Sequence, residues 1–284
     1  MPADKLILLC PWLRKSIRKL VKEGGFPIGR YRNFLDLSKT DPSLPVRLSC
    51  GGSINNVNKI ELNGVAKLGL TRTREIIESI CGGTSRVKIY RIDWAVDILD
   101  ISPSQLAASC RFQGIQSSAF FQSRLGTTYY PHRSKERTVL IYDKLKLLRS
   151  RHNPAANGYK QDQQLTRLEV QFRGKGVPIR SFDDIRGYGD IDLLKGMKLV
   201  RLRHPPQNAK PQEVLIFEAL NGLIDQIGLQ NTAKRFSSSQ WAYLQKRYFE
   251  ADAHDEIPDV RRLLTKSARD WLADIIRFPR SKSR

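Results

Sequence analysis

Tyr142 and Lys144 lie two positions apart, and three acids, Asp93, Asp97 and Glu169, lie in other segments of the chain. A phenolate can attack a phosphodiester, and a nearby lysine can neutralise the charge that develops. Carboxylates are ligands for hard divalent cations such as Mg²⁺ and Mn²⁺. These residue types therefore predict metal-assisted cleavage of a phosphodiester bond, with Tyr142 and Lys144 as the catalytic residues.

The tyrosine and the lysine fall in a predicted β-hairpin. Residues 127–130 and 138–142 are β-prone runs, and the polar residues between them predict a turn. Alternate residues of a strand share a face, so Tyr142 and Lys144 are expected on one face of the hairpin. The alternative is a half-buried strand tyrosine with its hydroxyl in water, because tyrosine is common in strands.

Residues 87–99 form the strongest predicted strand, with Arg91, Asp93 and Asp97 on one face. Carboxylates are poor strand formers, so the two aspartates indicate either an exposed sheet face or cation ligands. Residues four apart on a flat strand stand about 13 Å apart, so the two aspartates cannot both bind one ion. Asp93, nearer the middle of the strand, is the better candidate.

Leu165–Arg173 is a further alternating segment, whose polar residues Arg167, Glu169 and Gln171 are expected to face outward. The three predicted strand segments thus place a tyrosine and several acids on polar sheet faces. That arrangement suits a tyrosine that attacks a phosphate polarised by carboxylate-held Mg²⁺ or Mn²⁺. The products would be a covalent phosphotyrosine and a free 3′-OH, and no ATP would be needed.

The composition indicates a polyanionic partner. The chain has 284 residues and carries 49 Lys and Arg against 28 Asp and Glu, a net charge of +21. This excess favours nucleic acid, with an anionic membrane surface as the alternative. No apolar run approaches the roughly 20 residues of a spanning helix, which favours a cytoplasmic protein. The four cysteines are widely spaced, which indicates neither a disulfide framework nor a zinc site. The chain has no P-loop motif, which disfavours an ATP-driven motor.

The order of the predicted elements indicates an α+β fold, with an antiparallel β-sheet, helices packed on one face of it and a helical C-terminal region. Residues 1–44 are expected to be a basic, irregular N-terminal segment, and residues 45–200 a nicking domain that contains the strands. Residues 201–284 are expected to be a helical DNA-recognition region. Short helices joined by tight turns and rich in arginine and lysine suit a duplex-binding unit of the helix-turn-helix sort.

The predicted strands carry motifs that resemble a known family. Residues 90–97, YRIDWAVD, resemble the pattern R-[LIV]-D-x-A-x-D, and residues 129–144 resemble Y-[FY]-G-x-R…R-[IF]-Y-[DN]-K. Residues 168–170 resemble the core of R-[VL]-E-[IV]. These are the motifs of the replication initiation factors of rolling-circle plasmids, a family also found in filamentous phages and in relaxases of integrative elements. The resemblance covers about residues 45–200.

The resemblance implies that Tyr142 is the nicking nucleophile and that Asp93 or Asp97, with Glu169, binds Mg²⁺ or Mn²⁺. Origin DNA, single-stranded or in a cruciform, is the expected partner. A host helicase, a host polymerase and a second copy of the chain are further candidates, and no membrane contact is expected. Two positions depart from the family pattern, since a glycine is replaced by Pro131 and a glutamate by Leu147. The candidate DNA-binding residues are Arg91, Arg133, Arg167 and Arg173.

Three functions fit these observations. The first is an initiator that nicks and rejoins DNA at an origin, and the second is a conjugative relaxase with the same chemistry, which only the neighbouring genes would distinguish. The third is a DNA-binding regulator that keeps the fold without catalysis. A second tyrosine nucleophile could come from Tyr129, Tyr130 or Tyr159, and the sequence does not rank them.

Overall fold

Strands occupy most of the first part of the described chain, and helices most of the last part. The computed structural model describes residues 3–10, 26–28, 31–39, 45–52, 58–85, 87–109, 111–113, 120–122, 127–131, 136–182, 193–194, 198–227, 229–250 and 259–276. The strands are β1 (Ala3–Cys10), β2 (Phe26–Ile28), β3 (Tyr31–Asp36), β4 (Val46–Gly52), β5 (Asn58–Asn63), β6 (Lys88–Leu99), β7 (Arg111–Gln113), β8 (Phe120–Gln122), β9 (Thr127–Pro131), β10 (Arg137–Asp143), β11 (Leu165–Arg173), β12 (Lys198–Leu202) and β13 (Phe249–Glu250). The helices are α1 (Val65–Cys81), α2 (Pro103–Ser109), α3 (Lys144–Ser150), α4 (Pro211–Ile227), α5 (Leu229–Ala233), α6 (Ser238–Tyr248) and α7 (Val260–Ile276).

The chain divides into two compact units. The first comprises Met1–Ala95, Gln171–Ile191 and Leu264–Arg284. Its strands follow the order β2-β3-β4-β5-β1-β6, and each neighbouring pair in that order is antiparallel. Helix α1 packs on β1. The core of this unit contains two tryptophans, Trp94 and Trp271, and many aliphatic residues, including Leu6, Leu8, Ile60, Leu62, Ile76 and Ile77.

The second unit comprises Val96–Val170 and Asp192–Leu263. Its strands follow the order β6-β11-β10-β9-β8, and β9 is antiparallel to both β10 and β8. A smaller sheet has the order β7-β12-β13. Around α4 and α6 lies a separate apolar cluster of Leu202, Phe217, Leu220, Ile224, Leu244 and Tyr248. The chain passes from one unit to the other within β6 and within β11.

The predicted α+β fold is confirmed, with its antiparallel sheet and its helical C-terminal region. The predicted strand over residues 165–173 and the predicted hairpin are present at almost the expected bounds. In that hairpin Val139 lies opposite Tyr130, and Ile141 lies opposite Thr128. No helix among the described residues is long and apolar enough to cross a membrane.

The N-terminal segment corrects the prediction of an irregular region over residues 1–44. Three strands lie there, and β1 is an interior strand that pairs with β5 on one side and with β6 on the other. Leu6 and Leu8 are fully buried. A short continuous apolar run, such as residues 6–9, is typical of a strand covered on both faces. The high local charge of residues 11–25 obscures that signal in the sequence.

Thr71 is a preferred type of N-cap residue and predicts a helix that begins after it, but helix α1 begins earlier, at Val65. Its backbone is interrupted at Gly69, whose φ of 71° lies in the left-handed region that glycine adopts without a steric penalty. The hydroxyl of Thr73 donates to the Gly69 carbonyl at 2.7 Å. The predicted helix start therefore corresponds to the second of two helical segments that meet at this kink.

An ion pair between Lys5 and Glu61 joins β1 to β5 and contributes to stability in a way that depends on pH. Lys5 Nζ donates to Glu61 Oε1 at 2.6 Å. Burial alone would raise the pKa of Glu61, but the hydrogen bond and charge of Lys5, together with Lys59, outweigh it and lower that pKa. A carboxyl whose pKa is lowered by folding stabilises the protein above its unfolded pKa, and that contribution is lost as pH falls through the folded pKa.

We expect Glu61→Gln to lower the free energy of unfolding near pH 7 by about 1 kcal/mol or less, because the pair is partly exposed to water. The difference from wild type should be smaller at acidic pH, because protonation of the carboxyl as pH falls through its lowered folded pKa removes this contribution. Urea unfolding followed by tryptophan fluorescence at both pH values measures it. Glu75→Gln, at an exposed surface pair with Arg72, is the matched control and should change little. An equal deficit at both pH values would contradict this account of Glu61.

Candidate active site

The hydroxyl of Tyr142 is hydrogen-bonded to a carboxylate. Tyr142 lies next to the last residue of β10 and is half-buried. Its hydroxyl donates to Glu169 Oε2 at 3.0 Å. Glu169 lies in the interior of β11, with 7% of its surface exposed. The contact gives the phenol a defined proton acceptor, which is what the activation of a tyrosine nucleophile requires.

A buried ion pair joins the strand of Glu169, β11, to the neighbouring strand β6. Arg167 of β11 donates from Nε and Nη2 to the two carboxylate oxygens of Asp97 on β6, the second contact at 2.7 Å. The Arg167 side chain is 2% exposed and that of Asp97 is 19% exposed. A guanidinium stays protonated in proteins, and two parallel hydrogen bonds are the strongest way to pair it with a carboxylate. The charge of Asp97 is therefore neutralised within the fold.

These two contacts share one sheet face. Arg167 and Glu169 are two residues apart on β11, so their side chains leave the same face about 7 Å apart. Asp97 reaches Arg167 from β6 and Tyr142 reaches Glu169 from β10. We call Asp97, Arg167, Glu169 and Tyr142 the polar row. The sequence predicts that Arg167 and Glu169 face outward, whereas the structure buries both and satisfies them with partners.

Asp93 lies in the first unit, again paired with an arginine. It is 1% exposed, and Arg91 on the same strand donates from Nε and Nη2 to its two oxygens at 2.7 and 2.6 Å. Arg91 and Asp93 are two residues apart on one strand, so their side chains lie on the same face and can contact each other. The alternation of Arg91 and Asp93 in the sequence thus corresponds to an internal ion pair rather than to an exposed polar face.

The described residues do not fit the predicted metal site. Asp93 and Asp97 each accept two hydrogen bonds from an arginine, and Glu169 accepts one from Tyr142. In the part of the chain that the structure describes, no three His, Cys, Asp or Glu side chains are grouped to hold an ion. At Asp93 or Asp97 a divalent cation would have to displace a guanidinium from the carboxylate oxygens. Binding of Mg²⁺ or Mn²⁺ stays a prediction, and we derive no chemical step from it.

Lys144 is placed differently from the prediction. The strand β10 ends at Asp143, whose side chain accepts a hydrogen bond from Lys146 N at 2.8 Å and so caps helix α3. Lys144 is the first residue of that helix and does not continue the strand beside Tyr142. An aspartate is a preferred N-cap, which is why the chain changes to helix at this point. Lys144 stays close in sequence to Tyr142, but its face is set by the helix.

The four candidate DNA-binding arginines have different positions. Arg167 and Arg91 are the buried or half-buried partners of carboxylates within the fold, and contact of either with DNA stays a prediction. Arg173 is exposed and donates to the side chain of Gln171 at 2.8 Å. Arg133 lies outside the described residues. Arg173 is thus the one of the three described candidates that DNA could reach directly.

The sequence analysis missed the pairing of Glu169 with Tyr142, because it assigned Glu169 to a metal. The two residues are 27 positions apart, and alternation within a strand does not tell which residue of a neighbouring strand lies opposite. The available signal was a carboxylate at the centre of a strand, between the aliphatic residues Leu168 and Val170. Such a carboxylate requires a donor, and a tyrosine hydroxyl is one of few candidates.

No protein-family model and no curated protein matches the sequence of this chain. Among solved structures, the chain is similar to that of the rolling circle replication initiator protein from Geobacillus stearothermophilus. The likeness covers 96% of this chain and 95% of that one, with 12% sequence identity and a TM-score of 0.36.

The polar row predicts a large stability cost when one member of its ion pair is removed. Arg167→Met leaves Asp97 without its guanidinium, and we expect the free energy of unfolding to fall by about 3 kcal/mol. The double variant Asp97→Asn with Arg167→Met should recover part of that loss, because no uncompensated charge remains. Urea unfolding of the single and double variants measures both effects.

Arg74→Met is the matched control, since Arg74 forms a surface ion pair with Glu78 in which both side chains are well exposed. Its cost should stay below about 0.5 kcal/mol. If Arg167→Met cost no more than Arg74→Met, the Arg167–Asp97 pair would not be holding the sheet as described.

Proposed function

We propose that the chain is a site-specific DNA nicking and joining enzyme that starts rolling-circle replication, with Tyr142 as its nucleophile. The observation that carries the proposal is the 3.0 Å hydrogen bond from the Tyr142 hydroxyl to Glu169. The motif resemblance selects the same tyrosine independently. A half-buried phenol that is hydrogen-bonded to a buried carboxylate has a proton acceptor in place, whereas a tyrosine that only filled a strand position could leave its hydroxyl in water.

The proposed step is an in-line displacement at phosphorus. The Tyr142 hydroxyl oxygen attacks the scissile phosphate as its proton passes to Glu169, and the bond from phosphorus to the 3′ oxygen breaks. The departing oxygen takes a proton from solvent. The products are a 5′-phosphotyrosine and a 3′-OH that can prime a polymerase. In joining, a 3′-OH attacks the same phosphorus and gives its proton to solvent, and Tyr142 leaves, taking its proton back from Glu169.

The charge of the chain supports DNA as the substrate. A net charge of +21 favours a polyanion, and exposed cations such as Arg173 could neutralise phosphates. Lys144, two positions after the nucleophile, remains a candidate for stabilising the charge that develops at the scissile phosphate. The Asp97–Arg167 pair is proposed to position Glu169, its neighbour on β11, by fixing the strand.

The first test replaces the nucleophile. Supercoiled plasmid carrying the gene and its flanking DNA is incubated with wild type and with Tyr142→Phe, and nicked circles and peptide-linked nucleotide are measured by gel and by mass spectrometry. We expect wild type to nick and to carry the nucleotide on Tyr142, and Tyr142→Phe to do neither while still binding the DNA. Tyr90→Phe removes the hydroxyl of an exposed strand tyrosine and should nick like wild type.

Two results would overturn the proposal. One is nicking by Tyr142→Phe, which would place the nucleophile elsewhere. The other is DNA binding without nicking by either form, in Mn²⁺ and in EDTA alike, which would support a non-catalytic regulator. Comparison of Mn²⁺ with EDTA also tests the predicted metal dependence. A relaxase would behave like an initiator in this assay, and the neighbouring genes distinguish the two.

The second test concerns the proton. Glu169→Gln keeps the shape of the side chain but cannot accept the phenol proton, and we expect nicking to slow by about 10²–10⁴-fold near neutral pH. The rate of this variant should then rise with pH towards about 10, the ordinary pKa of tyrosine, because ionisation of the phenol replaces proton transfer. The measurement is the nicking rate against pH. A flat profile, parallel to that of wild type, would assign Glu169 a structural role only.

A further inference from the structure

Two helices in the second unit are joined by a tight turn. Helix α5 ends at Ala233 and α6 begins at Ser238, with residues 234–237 between them. The turn starts at once, because Arg235 N donates to the Thr232 carbonyl at 2.9 Å and Phe236 N to the Ala233 carbonyl at 3.3 Å. A helix, a turn of about four residues and a second helix is the arrangement of DNA-binding helix-turn-helix units.

One side of α6 is fixed to α4. The ring of Tyr248 lies 6.2 Å from that of Phe217, and Leu244 is buried in the same cluster. At the end of the helix Arg247 Nη2 contacts Glu213 Oε1 at 2.7 Å. The helix is therefore held by an apolar face and an ion pair, and its other side is presented on a rigid support.

The start of α6 is closed by a capping box. Ser237 Oγ accepts from Gln240 N at 3.3 Å, and Gln240 Oε1 accepts from Ser237 N at 3.0 Å. Trp241 stacks on Phe236, with ring centroids 6.1 Å apart, and this contact fastens the turn to the helix. The side chains of Ser237 and Gln240 are thus used in capping, and the residues that remain for a partner are further along the helix.

The free side of α6 carries a stripe of exposed side chains. Successive members of this stripe are three, one and three residues apart, so they share one face of the helix. They are Ser239, Ala242, Tyr243 and Lys246. All four are exposed, and 63% of the surface of Tyr243 is accessible. We call these four residues the α6 stripe. It combines a hydroxyl, a methyl group, a phenol and an ammonium group, which can all contact the edges of bases or a phosphate.

The charge around the stripe has one sign. Helix α6 contains no Asp or Glu, and the turn before it contributes Lys234 and Arg235, which are both exposed. Arg247, the other cation of the helix, already has Glu213 as its partner. A surface with several exposed cations and no carboxylate of its own is complementary to a polyanion, and a basic protein partner would be repelled by it.

We propose that α5, residues 234–237 and α6 form a unit that reads duplex DNA, with the α6 stripe in the major groove. Tyr243 and Ser239 contact base edges, Ala242 packs on a thymine methyl group, and Lys234, Arg235 and Lys246 contact phosphates. The major groove of B-form DNA admits an α-helix, whereas that of an RNA duplex is too deep and narrow. This unit selects the DNA site at which the proposed initiator acts, so its role rests on the proposed function. Its binding to duplex DNA does not require Tyr142.

The test separates sequence reading from nicking by using full-length chain with Tyr142→Phe throughout. A library of duplexes with a random central region is selected for binding, and the enriched duplex and a scrambled duplex are then titrated by fluorescence anisotropy. We expect selection to enrich one motif. Adding Tyr243→Ala or Ser239→Ala should weaken binding to the enriched duplex about tenfold and leave the scrambled duplex unchanged. Adding Lys246→Ala should weaken both duplexes equally and reduce the salt slope by about one.

Matched controls lie outside the unit. Tyr90→Ala removes an exposed tyrosine from β6, and Lys266→Ala removes an exposed lysine from α7, and neither should alter selectivity. Three results would overturn the proposal: no enriched motif, an equal loss on enriched and scrambled duplex in Tyr243→Ala, or tighter binding to single-stranded DNA or RNA than to the enriched duplex. Because the nucleophile is absent from every variant, these results are independent of whether wild type nicks DNA.

Discussion

Strand β11 is covered on both faces, and a covered strand cannot leave a charged side chain unpaired without a cost of several kcal/mol. Arg167 is paired by Asp97 from β6, and Glu169 is paired by Tyr142 from β10. The same requirement therefore sets the neighbours of β11 and the position of the phenol. The candidate nucleophile is held in place by interactions that also hold the sheet together.

The three consecutive residues Tyr142, Asp143 and Lys144 have three separate functions. Tyr142 closes the polar row near the end of β10, Asp143 caps helix α3, and Lys144 begins that helix. A candidate nucleophile at a junction between strand and helix is supported from both sides, and it lies where the chain leaves the sheet. The polar residue between the tyrosine and the lysine is explained by its role as the N-cap of α3.

Alternation of apolar and polar residues was sufficient to predict β10, β11 and the α+β class, because side chains on a pleated strand have a period of two. It failed for Arg167 and Glu169, since polar residues at alternate positions look the same whether water or another strand satisfies them. It also failed for β1, whose apolar run is short and followed by many charges. Partners such as Asp97 and Arg167 come from distant segments, and local pattern carries no information on such pairings.

Strand β1 has a further consequence, which concerns how the protein folds. Leu6 pairs with Leu62 on one side and with Ile92 on the other, so β1 cannot be enclosed until both distant strands have been made. Pairings so far apart in sequence slow folding, because the entropy of closing a long loop is lost before any contact forms. During synthesis the apolar residues of β1 would stay exposed until β6 leaves the ribosome. The nascent chain therefore exposes an apolar segment that can associate wrongly until β6 is made.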